Sequence, residues 1–443
     1  MPFHRPLLLA ALLLCSASAA DLRIYPSFGE VRQSAVLTGP QGTPPAVELA
    51  FGRAAWNLVQ PDSLTLTGTP LLRLQTRPTD RDWLTTQEGQ PVTVLRAGQA
   101  PLAGTLIRAE DLLVQLESGA YLNVQANELG FAGLPPRGWM GGGVAARFES
   151  AATGTQTAEI SYRTAALSWE PRYELTASGA QANLAALAEL RNISDQPFRG
   201  ERVDLFAGTV QTVAEVGQPA MTVVSGLGAL SLPTIPSSDT AGNASPISSL
   251  GELRGLQRYA LAGSVTLGRG ETLTLPFLQP KITAFTRYNS ISTYFSPQNS
   301  SGQTSRHYKW TPNGSGLPAG TLSVCDGGAL VGTVQLAATQ GGKPVDTDLG
   351  ADPELRFARN VKQLGLEKAP DGRILSTTSQ VTYTLTSTKI LATRVQLREA
   401  LYGRFMVVDG QVLPANRQNN IERRVDVKAG GTATISFKVK IGN

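Results

Sequence analysis

YRTAALSWEPRYEL, Tyr162 to Leu175, decides how this chain is read. It crowds Tyr162, Trp169 and Tyr173 into one short stretch of a sequence that is only 6% aromatic. Trp169 and Tyr173 are four residues apart, so on a strand they point to the same face. Pro171 lies between them and cannot donate to a ladder, which predicts an edge or a bulge there. A buried Trp or Tyr contributes about 3–5 kcal/mol of packing. The stretch therefore reads as structural, with Tyr162, Trp169 and Tyr173 in the core. Asn192, close behind in the sequence, reads as a strand-end residue whose side chain bonds backbone. An aromatic binding platform is the functional alternative.

Working outward, the composition favours strands. Charged residues are 16%, while the 443 residues include 45 Gly and 28 Pro. That mixture suits many short strands joined by turns, and the length suits two or three domains. From Asp21 to about residue 134 the pattern is strand and turn. PVTVLR, LAGTLIRAE, DLLVQLESGAYLNVQ and ELGFAG form a compact unit whose short strands suggest an SH3-like barrel. Residues 135–143, with Pro135-Pro136 and Gly141-Gly142-Gly143, read as a linker. Residues 144–443 read as one large β-sandwich-like domain. Within it, ANLAALAELRNIS could be helical by propensity, but its alternating neighbours make it a strand. Residues 225–255, rich in Ser, Pro and Gly, read as an exposed, flexible loop. The predicted class is all-β: a small N-terminal β module, then a β-sandwich-like region.

The first twenty residues stand apart. Arg5 precedes the apolar run Leu7 to Leu14, and Ala17-Ser18-Ala19 offers a small-residue cleavage site. This is the pattern of a secretory signal peptide, too short to anchor in a bilayer. Export would remove His4 and Cys15, leaving His307 as the one histidine and Cys325 as the one cysteine. A single cysteine forms no intrachain disulfide. The net charge of +5 is scattered rather than clustered. That argues against nucleic acid as a partner and leaves a weak attraction to acidic envelope polymers. No segment of the mature chain reads as a transmembrane helix.

Chemistry is sparse. There is no G-x-S-x-G elbow, calcium loop or P-loop. A Ser-His-Asp triad would have to be built around His307, beside a polar loop. Asp346 and Asp348 alternate in PVDTDLG and read as flanking a turn. No catalytic constellation is visible. His307 and Cys325, on either side of a Pro-Gly-rich turn region, could be brought together by strands; imidazole with thiolate suits copper. Cys325 in TLSVC equally suits a buried apolar position. FTRYNSISTYF and RHYKW contribute Tyr288, Tyr294, Phe295, Tyr308 and Trp310, with a Ser/Asn/Gln-rich loop between. Such residues suit a partner or glycan surface.

Further motifs share the order of a known family. They are Tyr162 with Leu167-Ser168-Trp169-Glu170-Pro171-Arg172-Tyr173, then Leu190-Arg191-Asn192 and Leu205-Phe206-Ala207-Gly208. Leu317-Pro318-Ala319-Gly320, Leu330-Val331-Gly332 and Asp348-Leu349-Gly350 follow. Across about residues 144–443 the chain resembles the bacterial domain of unknown function 4139, the C-terminal domain of mucoidy-inhibitor-like proteins. The resemblance implies an exported, β-rich protein without an established reaction. The long coiled coil of many members is missing here. Together these readings predict an exported structural or interaction component of a bacterial cell envelope, in periplasm, outer envelope or cell surface. Its predicted partners are envelope proteins or polysaccharide and further copies of itself. The alternatives are a copper-dependent redox enzyme handling reactive oxygen species and a glycan-binding module. No other cofactor is implied.

Overall fold

A computed structural model describes residues 20–79, 82–135, 142–210, 246–314 and 316–442. Residues 1–19, 136–141 and 225–245, where the sequence suggested a signal peptide, a linker and a flexible loop, lie outside the described residues. The chain is nearly all β. Among the described residues two short helices, Arg53–Trp56 and Asp82–Thr86, and one 3-10 turn, Ala126–Glu128, interrupt the strands. No helix among the described residues is long and apolar enough to cross a membrane. The Leu184–Leu190 stretch lies within the strand Gln181–Asn192, so tertiary pairing overrides its helical propensity.

The chain divides into two compact units. One comprises the chain up to Glu170 together with Ala188–Phe277; the other comprises Pro171–Leu187 and Leu278–Asn443. The expected boundary at 135–143 does not separate them. Gly29–Leu37 pairs antiparallel with Gln156–Thr164, from Gly29↔Thr164 to Leu37↔Gln156, so residues from both sides of the linker share a sheet. Strand pairing over such separations leaves no local mark in the sequence.

In the first unit the largest sheet runs Ile247–Leu253, Leu256–Leu261, Phe198–Ala207, Ala20–Ile24, Gly29–Leu37, Gln156–Thr164, Val59–Thr67. Ile247–Leu253 and Leu256–Leu261 form a hairpin where the sequence suggested the end of a flexible loop. Residues 91–131 do make a five-stranded antiparallel sheet, ordered Leu129–Phe131, Pro91–Val94, Leu102–Arg108, Leu113–Leu116, Tyr121–Asn123. Val92, Val94, Leu106, Val114 and Leu129 fill its own small core. Its ladders form an open path, so barrel closure goes beyond what they establish.

Trp169 is buried in this unit, edge-on to Tyr259 and Phe277, and its Nε1 donates to Phe206 O at 2.9 Å. Tyr162 meets Phe51 edge-on at 5.2 Å. The Asn192 amide donates to Gln196 O and Gly268 O, both at 2.7 Å, while its Oδ1 accepts from Ser194 N and Oγ. These bonds close two chain reversals around one buried side chain.

Tyr173 belongs to the second unit. Its hydroxyl donates to Pro318 O at 2.9 Å. The four-residue spacing thus supplies one core aromatic to each unit rather than two to one pocket. Pro171 is buried inside the strand Leu167–Ser178, not at an exposed edge. Its carbonyl lies so near Gly320 that a Cβ there would sit 2.1 Å from Pro171 O. Only glycine permits that approach, and it starts the parallel pairing of Arg172 with Thr321.

The second unit is dominated by a nine-stranded sheet: Gln411–Leu413, Phe405–Val408, Thr432–Gly442, Ile374–Ser387, Val345–Lys368, Ser300–Asn313, Lys281–Tyr294, Thr393–Leu401, Asn419–Val427. Leu355, Val381, Leu385, Val395, Leu397, Phe437 and neighbours form one core on it. Inside that core lies a charge pair. Arg359 Nη2 donates to Glu399 Oε1 at 2.6 Å, and the side chains are 2% and 0% exposed. Arg359 Nη1 also donates to Ser296 O and Gln298 O, and the Tyr383 hydroxyl donates to Glu399 Oε2 at 2.8 Å.

Removing one partner of a buried pair leaves an uncompensated charge, at a cost of about 3–5 kcal/mol. Glu399→Gln should lower stability by that amount in urea unfolding. The double variant Glu399→Gln, Arg359→Met should lose less than the single one. A loss below about 1 kcal/mol in the single variant would contradict the role given to this pair.

Candidate functional site

The outer face of the nine-stranded sheet carries the arrangement with the most chemistry. Lys281–Tyr294 and Ser300–Asn313 run antiparallel, with Tyr288 opposite His307 and Ser290 opposite Ser305. Directly opposed residues share a face. His307 therefore stands between Tyr288 and Ser290 on the face away from the core. The Tyr288 and His307 rings stack at 4.9 Å with 22° between planes.

The third strand of the site is Val345–Lys368. Sequence reading placed Asp346 and Asp348 beside a turn, but both lie inside this strand. The misleading signal is a bulge. Gly350 has φ +85°, and its N–H is accepted by Asp348 Oδ1 at 2.8 Å. The ladder slips here: His307 pairs with Asp348, yet Ser305 pairs with Ala351. A bulge with glycine in the left-handed region re-aims the neighbouring side chains without ending the strand. Asp346 and Asp348, two apart in the regular part of the ladder, both face His307 by strand alternation, and the slip begins only beyond them.

The hydrogen bonds form a chain. Ser290 Oγ lies 2.8 Å from His307 Nε2, and His307 Nδ1 lies 3.0 Å from Asp346 Oδ1. The Tyr288 hydroxyl donates to the second oxygen of Asp346. Ser305 Oγ donates to Asp348 Oδ1 at 2.6 Å, and Asp348 Oδ2 is 3.8 Å from His307 Nε2. With Nδ1–H donated to Asp346, Nε2 offers its lone pair to the Ser290 hydroxyl. Burial and the Asp346 carboxylate push the Tyr288 phenol well above its ordinary range, so it acts only as a donor. The His307 side chain is sheltered at 16% exposure, while those of Asp346 and Asp348 are 40% and 57% exposed. The site is an open face, not a closed cavity.

Sequence reading marked His307 but not Ser290. The clue was the hairpin: a reversal centred between Pro297 and Gln298 puts Tyr288 opposite His307 and Ser290 opposite Ser305. The predicted polar loop is shorter than expected, because Ser300–Asn313 is already strand. Its Ser, Gln and Thr side chains are polar, yet its backbone is paired with Val345–Lys368 from Ser300 onward and with Lys281–Tyr294 as well from Ser305.

The predicted aromatic surface does not form. Trp310 is fully buried and its Nε1 donates to Thr347 Oγ1 at 3.3 Å. Tyr308 is buried on the core-facing side, where its hydroxyl donates to Asp326; Arg287 Nε and Nη2 donate to the same carboxylate at 2.6 and 2.8 Å. Burial first, then the Asp326 carboxylate, raise the Tyr308 phenol to about 12. Tyr288 is buried against His307, and Phe295 packs on the core beneath the Arg359 guanidinium. Tyr294 alone of the five stands clear, at 78% exposure. Strand alternation distributes the five over two faces.

His307 and Cys325 do not come together. Their neighbours Tyr308 and Asp326 touch, so the period-two alternation of each strand turns His307 and Cys325 the other way. Cys325 lies 4.0 Å from Glu174 Oε1, and burial, reinforced by Glu174, pushes its thiol up, away from the thiolate a soft metal needs. No group of three metal-ligating side chains occurs among the described residues. No protein-family model matches the chain, and no curated protein matches it.

Asp348 gives a test of the site's electrostatics. Burial, the largest influence, pushes its carboxyl up, but the Ser305 hydroxyl, the Gly350 amide and the nearby His307 and Arg306 outweigh it and hold it below the usual range. A depressed folded-state value means its stabilising contribution is present above the unfolded value of about 3.9 and is lost as pH falls through the folded value. Carbon-detected NMR titration should find Asp348 titrating below about 3.9, and Ser305→Ala should move it upward. An ordinary value in the parent protein would contradict this hydrogen-bond network.

Proposed function

We propose that this chain is an exported structural or interaction component of a bacterial cell envelope, and that it assembles with further copies of itself through strand edges. One observation carries the reading. Val345–Lys368 is paired with Ser300–Asn313 only as far as Ser300↔Arg359, while its other side stays paired with Ile374–Ser387 as far as Lys368↔Ile374. The Val361 N–H is taken by Asn299 Oδ1 at 2.8 Å, and from residue 362 to Lys368 one side of the strand has no ladder partner among the described residues. Leu364 and Leu366 are exposed on it, and Ile374 and Leu375 are exposed on the neighbouring strand. An apolar, unpaired edge is a template for strand addition.

Lys362 and Lys368 bracket the two leucines and oppose indiscriminate pairing. The edge is thus selective, as an assembly contact must be. The signal-like N-terminus and the family resemblance support export; the scattered basic charge supports residence among acidic polymers. No observation favours the glycan or copper alternatives over this reading.

Light scattering on the chromatographed full-length protein should give a mass that is a multiple of the 46.9 kDa chain, less any cleaved leader. Gln363→Pro, which blocks ladder bonding, and the pair Leu364→Lys, Leu366→Lys should both return it to a monomer with unchanged circular dichroism. A parent protein that stays monomeric at its highest soluble concentration, and in its own envelope extract, would overturn the reading.

A further inference from the structure

We infer that Ser290 is the nucleophile of a hydrolytic site for short-chain acyl esters, with His307 as its general base and Asp346 as the residue that orients His307. The inference stands apart from the assembly reading and rests on different residues. A serine hydroxyl is a weak nucleophile unless a base takes its proton as it attacks. Here Ser290 Oγ is 2.8 Å from His307 Nε2, the nitrogen left free to accept when Nδ1 is held by Asp346 at 3.0 Å. These are the roles and nitrogens of the Ser-His-Asp arrangement, recognised by geometry and not by chain order. Two contacts hold the imidazole in place. Tyr288 stacks on it and bonds the far oxygen of Asp346, and regular pairing of His307 with Asp348 sets the aspartate-bearing strand beside it.

The step balances without a cofactor. Ser290 Oγ bonds the ester carbonyl carbon while its proton passes to His307 Nε2. The C–O bond to the alcohol breaks, and the departing oxygen takes that proton. Water, deprotonated by His307, then releases the acid and restores the serine. The transient oxyanion needs a donor on the same face. Gln396 is the ladder partner of Ser290 in Thr393–Leu401, is half-buried, and carries an amide N–H2. The open face selects the substrate class. With Asp346 and Asp348 exposed, it gives a long acyl chain nowhere to bury, but admits acetyl-sized esters, including those displayed on a polymer.

The test uses the full-length protein, p-nitrophenyl acetate and a fluorophosphonate probe. Peptide mapping should find the phosphonyl adduct on Ser290, and Ser290→Ala should abolish adduct and turnover. His307→Asn should slow both about 100-fold or more, the contribution of a positioned base. Ser292→Ala, one alternation away on the same face, should leave both unchanged. Because the site lies on the outer face, circular dichroism and urea midpoints should be retained. A correctly folded parent protein with no Ser290 adduct, or a His307→Asn variant that labels as fast as the parent, would overturn the inference.

Discussion

The second unit depends on one buried guanidinium. Lys281–Tyr294 and Ser300–Asn313 are paired only as far as Ser290↔Ser305; beyond that point they part, one joining Thr393–Leu401 and the other Val345–Lys368. Arg359 lies where they separate. It holds the intervening turn through Ser296 O and Gln298 O and is neutralised by Glu399 on Thr393–Leu401. Burying a guanidinium is expensive, and hydrophobic replacements of such pairs are often no less stable. What the pair contributes here is register: it ties the turn, the central strand and the far strand to one another. A slip of one residue would send every side chain of the hairpin to the opposite face.

Both faces follow from that register. Inward, Asn289 donates to Thr304 Oγ1 and to the buried Asp352, which also takes Lys389 at 2.7 Å. Outward, one residue along on each strand, Ser290 and Ser305 flank His307. The inner network keeps the strands rigid where they diverge, and the outer groups gain fixed positions from the same ladder bonds. A relay of side chains on a sheet is only as ordered as its backbone. In this case the backbone is paired on both sides of His307.

How much of this was legible in the sequence depended on range. The two-residue alternation around Trp169 and Tyr173 announced strands, and the all-β class follows from such patterns alone. That the two aromatics serve different units was hidden, because the division falls inside a continuous strand, between Glu170 and Pro171. Trp310 and Tyr308 looked like a surface because they follow a polar stretch, yet that stretch is a paired strand. His307 stood out by its rarity. Ser290 did not, since one serine among many carries no signal until the hairpin is in register. Asp346 needed a pairing 39 residues away, and the Gly350 bulge that follows it looks, in sequence, like a turn.

The pairing around His307 shows why such a site escapes pattern reading. A regular antiparallel pair gives each side chain one directly opposed neighbour and two distant diagonal ones. His307 sits on a strand paired on both sides, with Tyr288 opposite on one and Asp348 opposite on the other, and the diagonal neighbours Ser290 and Asp346 reach it by hydrogen bonds. That density comes from a strand paired on both sides in regular register; only beyond it, where Ser305 pairs with Ala351, does the ladder slip at Gly350. Gly350 bears on the group through Asp348, whose Oδ1 accepts its N–H at 2.8 Å. The chemistry of the outer face therefore rests on three strands meeting in register, which no single stretch of the sequence carries.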